Sequence, residues 1–371
     1  MRKLWYTLSY PNRKGTLFLR TIGRLLLSAI FLVLTVLLVL AAKYAPVLVF
    51  SFYPAFSRKV LSVISSVTSA VPLAVWEILV GLAILWMLYT FVCIFTKRRS
   101  ILSWLAGIVL AVCVGVFLFV ALWGLNHYGP TVGEQLNLSV REYTKEELTN
   151  ATKYYAVQVN ALAGSVSRDD QVLTHFESFE TLAKQAGAGY DVLAKQYELF
   201  TGSHDPVKKL ATWRMFSQFG ITGIFVCFTA ESCVNPDTYE VWLPFTMCHE
   251  LAHRQTVAAE DGANFCAYLA CMENESPEFQ YSGAIAAYVY CHNALYKADK
   301  TAASEIWNSL NSGAIADIQA ANTHYAQYEG KVQDAATKVN DTYLKAFSEE
   351  AGVQSYGEAA DLLIAWYLKQ A

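Results

Sequence analysis

The run His249-Glu250-Leu251-Ala252-His253 places two imidazoles four residues apart with a carboxylate between them. On a helix, positions i and i+4 share one face, so both rings can bind one metal ion. Glu250 can then reach a water on that metal and take its proton. Zinc peptidases are built this way: the metal lowers the water's pKa toward neutrality and the carboxylate completes the activation. Trp242, Leu243, Phe245, Met247, Leu251 and Ala252 make the surroundings apolar. The histidines therefore fall on a mostly buried helix, where an imidazole needs a partner and a metal ion supplies one. The competing reading is a chance match to the pattern, without metal.

A catalytic zinc usually has three protein ligands and one open position. The nearest downstream acids are Glu260 and Asp261. If the helix continued unbroken, Glu260 would lie about 10 Å along the axis from His253 and could not share an ion with it. The chain must therefore bend near residues 255–258 and start a second helix at about Ala259, acidic at its N-terminus as the helix dipole prefers. On that helix Glu260 and Asn264 are i and i+4, so the asparagine can orient the ligand carboxylate. Glu260 is preferred to Asp261 as third ligand; the alternative role for Glu260 is a plain helix N-terminal charge.

The elements around this site are read next. Residues 221–229 and 238–242 are rich in β-branched and aromatic side chains, with a turn-rich stretch at 230–237 between them. They predict a β-hairpin or small sheet leading into the metal helix, whose edge either binds a substrate backbone by strand addition or only packs the core. Glu231 and Asn235 in the connection either contact substrate or belong to a solvated turn. Residues 142–163 and 176–200 read as helices.

Upstream the chain changes character. Residues 1–123 hold 12 Lys+Arg and one acid, Glu77, whereas residues 124–371 hold 16 Lys+Arg and 30 Asp+Glu, so the two parts carry +11 and −14. A basic apolar segment followed by an acidic polar one predicts a membrane anchor over 1–123 and a water-soluble domain over 124–371. Three stretches, at about 22–42, 72–95 and 101–123, are long enough to cross a bilayer. Buried core helices are the competing reading, disfavoured by three such runs beside a single acid. A cleavable signal peptide fits the first run poorly, because the run is too long and no cleavage site follows. Arg2, Lys3, Arg13, Lys14, Arg20 and Arg24 precede the first span, and Lys97, Arg98 and Arg99 separate the second from the third. The positive-inside rule then puts the N-terminus in the cytoplasm and the domain outside a cell membrane that the chain crosses several times. Residues 56–69 read as an interfacial or re-entrant helix. Nucleic acid is excluded as a partner, since the soluble part is acidic. The expected partners are the lipid bilayer and a peptide or protein substrate.

Six cysteines fall in the soluble part. Outside the cytoplasm they permit disulfides, but the apolar helical runs around Cys266, Cys271 and Cys291 favour buried free thiols. The expected architecture is mainly α: three N-terminal transmembrane helices plus a mostly helical, zincin-like soluble domain with a short β-hairpin or small sheet.

Several stretches together resemble an uncharacterised bacterial membrane-protein family, domain-of-unknown-function family 3810, which is grouped with metallopeptidases by its HExxH. They are Tyr53-Pro54, Val71-Pro72, Asn126-His127-Tyr128, GITGIFVCFTAES at 220–232, LPFTMCHELAH at 243–253, ANFCAYLA at 263–270, YSG at 281–283 and SYGEAADLLIAWY at 355–367. Glu-x-x-Ala-Asn at 260–264 is similar to the gluzincin signature, in which the glutamate is the third zinc ligand. The resemblance implies a zinc metallopeptidase of unknown substrate. Thr256 stands where the family usually has glycine, and Cys227 where it usually has proline; threonine does not favour the left-handed turn that glycine allows.

Tyr281 and Tyr356 lie in the family-like motifs, and a tyrosine hydroxyl is a common oxyanion stabiliser in zinc peptidases; each is otherwise a packed tyrosine. His127 and the other scattered histidines show no ligand spacing and read as surface or core residues. The leading expectation is a membrane-anchored zinc hydrolase, with His249, His253 and Glu260 holding zinc and Glu250 as general base. A non-catalytic membrane sensor or assembly protein with a relic metal site is the alternative. An intramembrane protease fits poorly, because polar residues flank the motif.

Overall fold

Three helices carry almost only apolar side chains and leave most of that surface uncovered. They are α1 (Arg13–Tyr44), α3 (Val75–Phe95) and α4 (Ile101–Leu122), and the segments Leu17–Tyr44, Val75–Phe95 and Ile101–Leu122 are long and apolar enough to cross a membrane. Side chains such as Leu26, Leu37, Leu85 and Val112 are more than half exposed to a medium that only lipid makes favourable. A computed structural model describes residues 13–96, 100–170, 172–346 and 359–370. Arg2, Lys3, Lys97, Arg98 and Arg99, on which the expected orientation partly rests, lie outside them.

α1 packs along α4, and Arg24 of α1 donates to the Ser103 carbonyl and, at 3.0 Å, to its hydroxyl. α2 (Tyr53–Thr68) follows a single helical turn at Pro46–Phe50. It begins three residues before the expected interfacial helix, and one face of it is docked on the domain. Leu61 is fully buried, Ser65 donates to Asp205 at 2.8 Å, and Thr68 donates to the Thr229 carbonyl at 2.9 Å. The opposite face keeps Phe56, Val63 and Val67 exposed.

The domain is a helical assembly with one small sheet. α5 (Lys145–Leu162) opens with a capping box, Thr144 to Glu147, and buries Leu148, Ala151, Tyr155 and Val159 on one stripe. The run expected as one helix over 176–200 is broken into Phe179–Gln185, Ala188–Leu193 and a 3₁₀ turn at Glu198–Phe200. Inside the second piece a Cβ on Gly189 would lie 1.8 Å from the Ala270 carbonyl oxygen, so the two backbones touch there as only glycine allows.

The sheet orders β1 (Lys208–Lys209), β3 (Glu231–Val234) and β2 (Gly223–Val226), with β3 central, parallel to β1 and antiparallel to β2. The second expected strand, 238–242, is instead a turn and a 3₁₀ segment, Glu240–Trp242, feeding the next helix. The actual second strand lies within the stretch expected as a turn, because Ser232 and Cys233 are small enough to be wholly buried on its two faces, Ser232 donating to the Glu250 carbonyl of the HExxH helix and Cys233 packed beside Trp76 and Phe216.

α6 (Leu243–Arg254), α7 (Glu260–Met272) and α8 (Pro277–Ala298) form the core with α5, and α10 (Ala359–Gln370), which follows α9 (Lys331–Ala346), closes it. Tyr155 donates to the Leu363 carbonyl at 2.8 Å across that closure. All eight cysteines are free thiols, as the apolar helical setting suggested.

Anchor and domain grip each other through two carboxylates. Glu231 of β3 accepts from Val75 N at 2.8 Å and Trp76 N at 2.9 Å, capping the start of α3, and pairs with the buried Lys208. Glu77, the single acid of the anchor, accepts from Ala211 N and Thr212 N, both at 2.9 Å. Glu231 is thus neither a substrate contact nor a solvated turn residue. Asn235 is buried too, its amide donating to Ser217 Oγ at 3.0 Å and the Ile221 carbonyl at 3.1 Å.

Candidate metal centre

α6 is buried along almost its whole length, so its two histidines have few ways to satisfy their polar atoms. It ends in a tight reversal. Thr256 N donates to the His253 carbonyl at 3.0 Å and Val257 N to the Ala252 carbonyl at 3.2 Å, the two bonds of a Schellman motif. The left-handed position of that motif is Thr256, at φ 74°. A threonine there costs about 1 kcal/mol, and its hydroxyl is pinned by donating to the Gln255 carbonyl and accepting from Arg58 of α2 at 3.2 Å. The bend that the sequence demanded is therefore made without glycine. α7 starts at Glu260, one residue later than expected, with Ala259 as its cap.

This reversal brings three ligand atoms together: those of His249, His253 and Glu260 lie within 4.8 Å of one another. His253 Nε2 is 3.1 Å from His249 Nε2, His249 Nε2 is 3.2 Å from Glu260 Oε2, and His253 Nε2 is 3.8 Å from Glu260 Oε1. Ligands about 2.1 Å from a tetrahedral ion stand about 3.4 Å apart, which these distances bracket. Among the described residues Asp261 is not in the group.

The outer ring nitrogens have partners of their own. His253 Nδ1 is 2.8 Å from the Val257 carbonyl, which can only accept, and His249 Nδ1 is 2.9 Å from Asn264 Oδ1. The Val257 carbonyl thus takes the Nδ1 proton of His253, and the Nε2 atoms of both rings face each other and the Glu260 carboxylate, to which His249 Nε2 can donate. A proton shared among these atoms or a metal ion satisfies the cluster, and a donor set of two imidazoles and a carboxylate is one that zinc accepts. Asn264 therefore orients His249, where the sequence suggested that it orients Glu260.

The electrostatics agree. Burial pushes the His253 pKa down to about 4. Burial also opposes charge on His249, but its hydrogen bond to Glu260 and that carboxylate's charge outweigh it and raise the pKa. Glu260 is lowered to about 2: burial opposes ionisation, and the His249 hydrogen bond with the charges of both histidines overcomes it. Glu250 is raised to about 8 by burial. Its Oε2 is buried without a hydrogen-bond partner. Its other oxygen lies against β2, so that a Cβ on Gly223 would come within 2.4 Å of it.

His249, His253, Glu250 and Glu260 line one cavity of about 1450 Å³, together with Gly223, Phe225 and Tyr290. Tyr281 does not reach it. Its hydroxyl donates to the buried Asp317 at 2.7 Å and accepts from Arg168 at 3.1 Å, a structural cluster. Tyr356 lies outside the described residues.

Two residues went unrecognised in the sequence. Tyr290 of α8 lines the cavity, and burial together with the Glu260 charge pushes its hydroxyl well above the usual range. His127, in the 3₁₀ turn Gly124–Tyr128, stands edge-on to Trp123 with ring centroids 5.2 Å apart and close enough to His253 and Glu260 to act on both electrostatically. Helix-face spacing could not separate Tyr290 from packed tyrosines; for His127 the signal was the Asn126-His127-Tyr128 motif.

No curated protein and no solved structure matches the chain. The family described as "Protein of unknown function (DUF3810)" matches residues 51–364, from just before α2 into α10 and including every residue of the metal centre. With well over half of its length matched, the chain belongs to that family of proteins of unknown function.

Proposed function

We propose that this protein is a membrane-anchored zinc metallopeptidase, zincin-like at its metal centre, with His249, His253 and Glu260 as ligands and Glu250 as general base. The observation that carries the proposal is the convergence of two imidazole Nε2 atoms and a carboxylate within 3.1–3.8 Å, beside a second buried carboxylate in the same cavity. A zinc ion held there supplies a Lewis acid that polarises a peptide carbonyl and acidifies water.

The chain's own residues do the rest. Glu250 takes the proton of the attacking water and returns it to the leaving amine. Its pKa of about 8 reflects burial, and a cation at the three ligands draws it back toward neutrality, the range in which one group can both accept and donate. Asn264 and the Val257 carbonyl hold both rings with their Nε2 atoms toward the metal. Tyr290 is the hydroxyl positioned to steady a developing oxyanion. The outer edge of β2 holds the substrate backbone by strand addition. The basic flanks of the spans support a cytoplasmic N-terminus and a metal domain outside the cell membrane.

The test uses the full chain in detergent, because Glu77, Glu231 and α2 tie the domain to its anchor. It measures zinc content and hydrolysis of a peptide library by the wild type and Glu250→Gln. About one zinc per chain in both, with hydrolysis only in the wild type, supports the proposal. Zinc in both without hydrolysis in either favours a non-catalytic sensor or assembly protein.

A further inference from the structure

The metal centre is not remote from the membrane. The hairpin whose edge faces it points toward the end of α4. Beyond Val226 the chain turns at Cys227–Ala230, and Cys227 and Ala230 are buried in one cluster with Leu61 of α2 and with Trp123 and Phe119 at the end of the third span. Phe228, at the tip, is about half exposed, as are Val63 and Val67 on the neighbouring α2. The cavity that contains His249 and Glu250 is walled at this end by Phe119 and Trp123 themselves.

Among the described residues the edge that faces the cavity is open. Asn235 N donates to the Thr222 carbonyl, in register with the pairs Ile224↔Cys233 and Val226↔Glu231. The alternation of an antiparallel ladder then turns the N–H and C=O of Gly223 and Phe225 outward. Among the described residues no strand pairs there. One end of this edge, Gly223, touches the Glu250 carboxylate, and the other end runs into the cluster at the membrane helix. An added strand rises about 3.3 Å per residue, so four residues span about 13 Å between those ends.

We propose that the substrate is the extended apolar segment immediately next to a transmembrane span of another membrane protein, and that this segment adds to Gly223–Val226 while its span stays in the bilayer beside α4. This deepens the hydrolase reading and rests on it. The free backbone groups call for polypeptide rather than a lipid chain, since only a backbone satisfies N–H and C=O in alternation. The apolar wall of Phe119, Trp123, Ile224 and Phe225 calls for apolar side chains. The cleaved bond then falls within about ten residues of the span, because the path from Glu250 to the membrane helix is about four residues long.

The test uses full-length protein carrying Glu250→Gln in phosphatidylcholine vesicles, with a photo-crosslinking phenylalanine at Phe225 and, separately, at the exposed Val332 across the cavity. Two probes are compared: a synthetic single-span peptide with a twenty-residue apolar-polar tail, and the tail alone. Crosslinking from either position at least ten-fold stronger to the spanning peptide, mapped within ten residues of its span, is the expected result. Equal capture of the free tail, capture only of distal tail residues, or capture of lipid alone overturns the proposal. The wild type is then given both probes. Capture without cleavage leaves the docking intact and rejects the hydrolase reading. Cleavage of the free tail at an equal rate, without preferential capture, does the reverse.

Discussion

The indole N–H of Trp123, the residue that ends the third membrane helix, donates to the carbonyl oxygen of His253 at 2.9 Å, and the two rings meet nearly edge-on with centroids 6.0 Å apart. A membrane helix and a candidate metal ligand therefore share one joint. His253 is in the last turn of α6, and its carbonyl, which already accepts from Thr256 N at the reversal, takes the indole as a further donor. Trp123→Phe keeps a ring and removes the donor. It should cost about 1 kcal/mol of stability and weaken zinc binding a few-fold, read by thermal unfolding and by competition with a chelating dye. Unchanged values in both would show that the joint does not support the site.

Glu260→Ala should lower zinc affinity at least ten-fold, because it removes one of three ligands. Asp261→Ala should leave affinity within a factor of two, since Asp261 is outside the ligand group. Metal titration of the two full-length variants side by side decides it, and equal losses would move the third ligand elsewhere.

Glu250→Gln has a second signature, in chelator-treated protein. The folded pKa of Glu250 is raised from 4.5 to about 8 by burial, so the folded state keeps a proton that the unfolded chain has lost. Its contribution is fully present below pH 4.5 and is lost as pH rises through 8. The wild type should lose stability relative to the Gln variant between pH 5 and 8, by up to about 3 kcal/mol. His253, lowered to about 4, acts oppositely, its contribution falling away as pH drops from 6.5 through 4. Being present in both proteins, it cancels in the comparison. Parallel unfolding-temperature curves would show that Glu250 is not held neutral.

Gly223→Ala places a methyl where the Glu250 carboxylate now lies. The neighbour can move only by turning the base away from its place beside the ligands. Zinc should stay bound while hydrolysis falls about ten-fold or more, in line with the cost of misplacing a catalytic group. Loss of zinc instead would indicate a wider collapse of the strand–helix contact.

Tyr290→Phe and Tyr281→Phe should separate cleanly. The first should reduce kcat about ten-fold or more, with little change in unfolding temperature. The second breaks the bonds to Asp317 and Arg168 and should lower stability by about 1–3 kcal/mol, leaving kcat near the wild-type value. The reverse assignment would restore Tyr281 to the site.

Local pattern by itself determined the anchor and the metal helix. Apolar runs with a single acid can only be membrane helices or a core too large for the chain, and HExxH at helical spacing commits two histidines to one face whatever surrounds them. The need for a bend before Glu260 followed from helix rise alone. Tertiary structure decided what depends on contacts across the chain. It placed threonine in a left-handed turn because Arg58, 198 residues away in sequence, anchors its hydroxyl. It turned Asn264 to His249 and withdrew Tyr281 into an ion-paired cluster while setting Tyr290 in the cavity. It spent Glu231 on capping a membrane helix. Periodicity reports which face of a helix is buried, but not which neighbour that face meets. A polar side chain takes its role from the neighbour, because its free energy is set by the partner that replaces water.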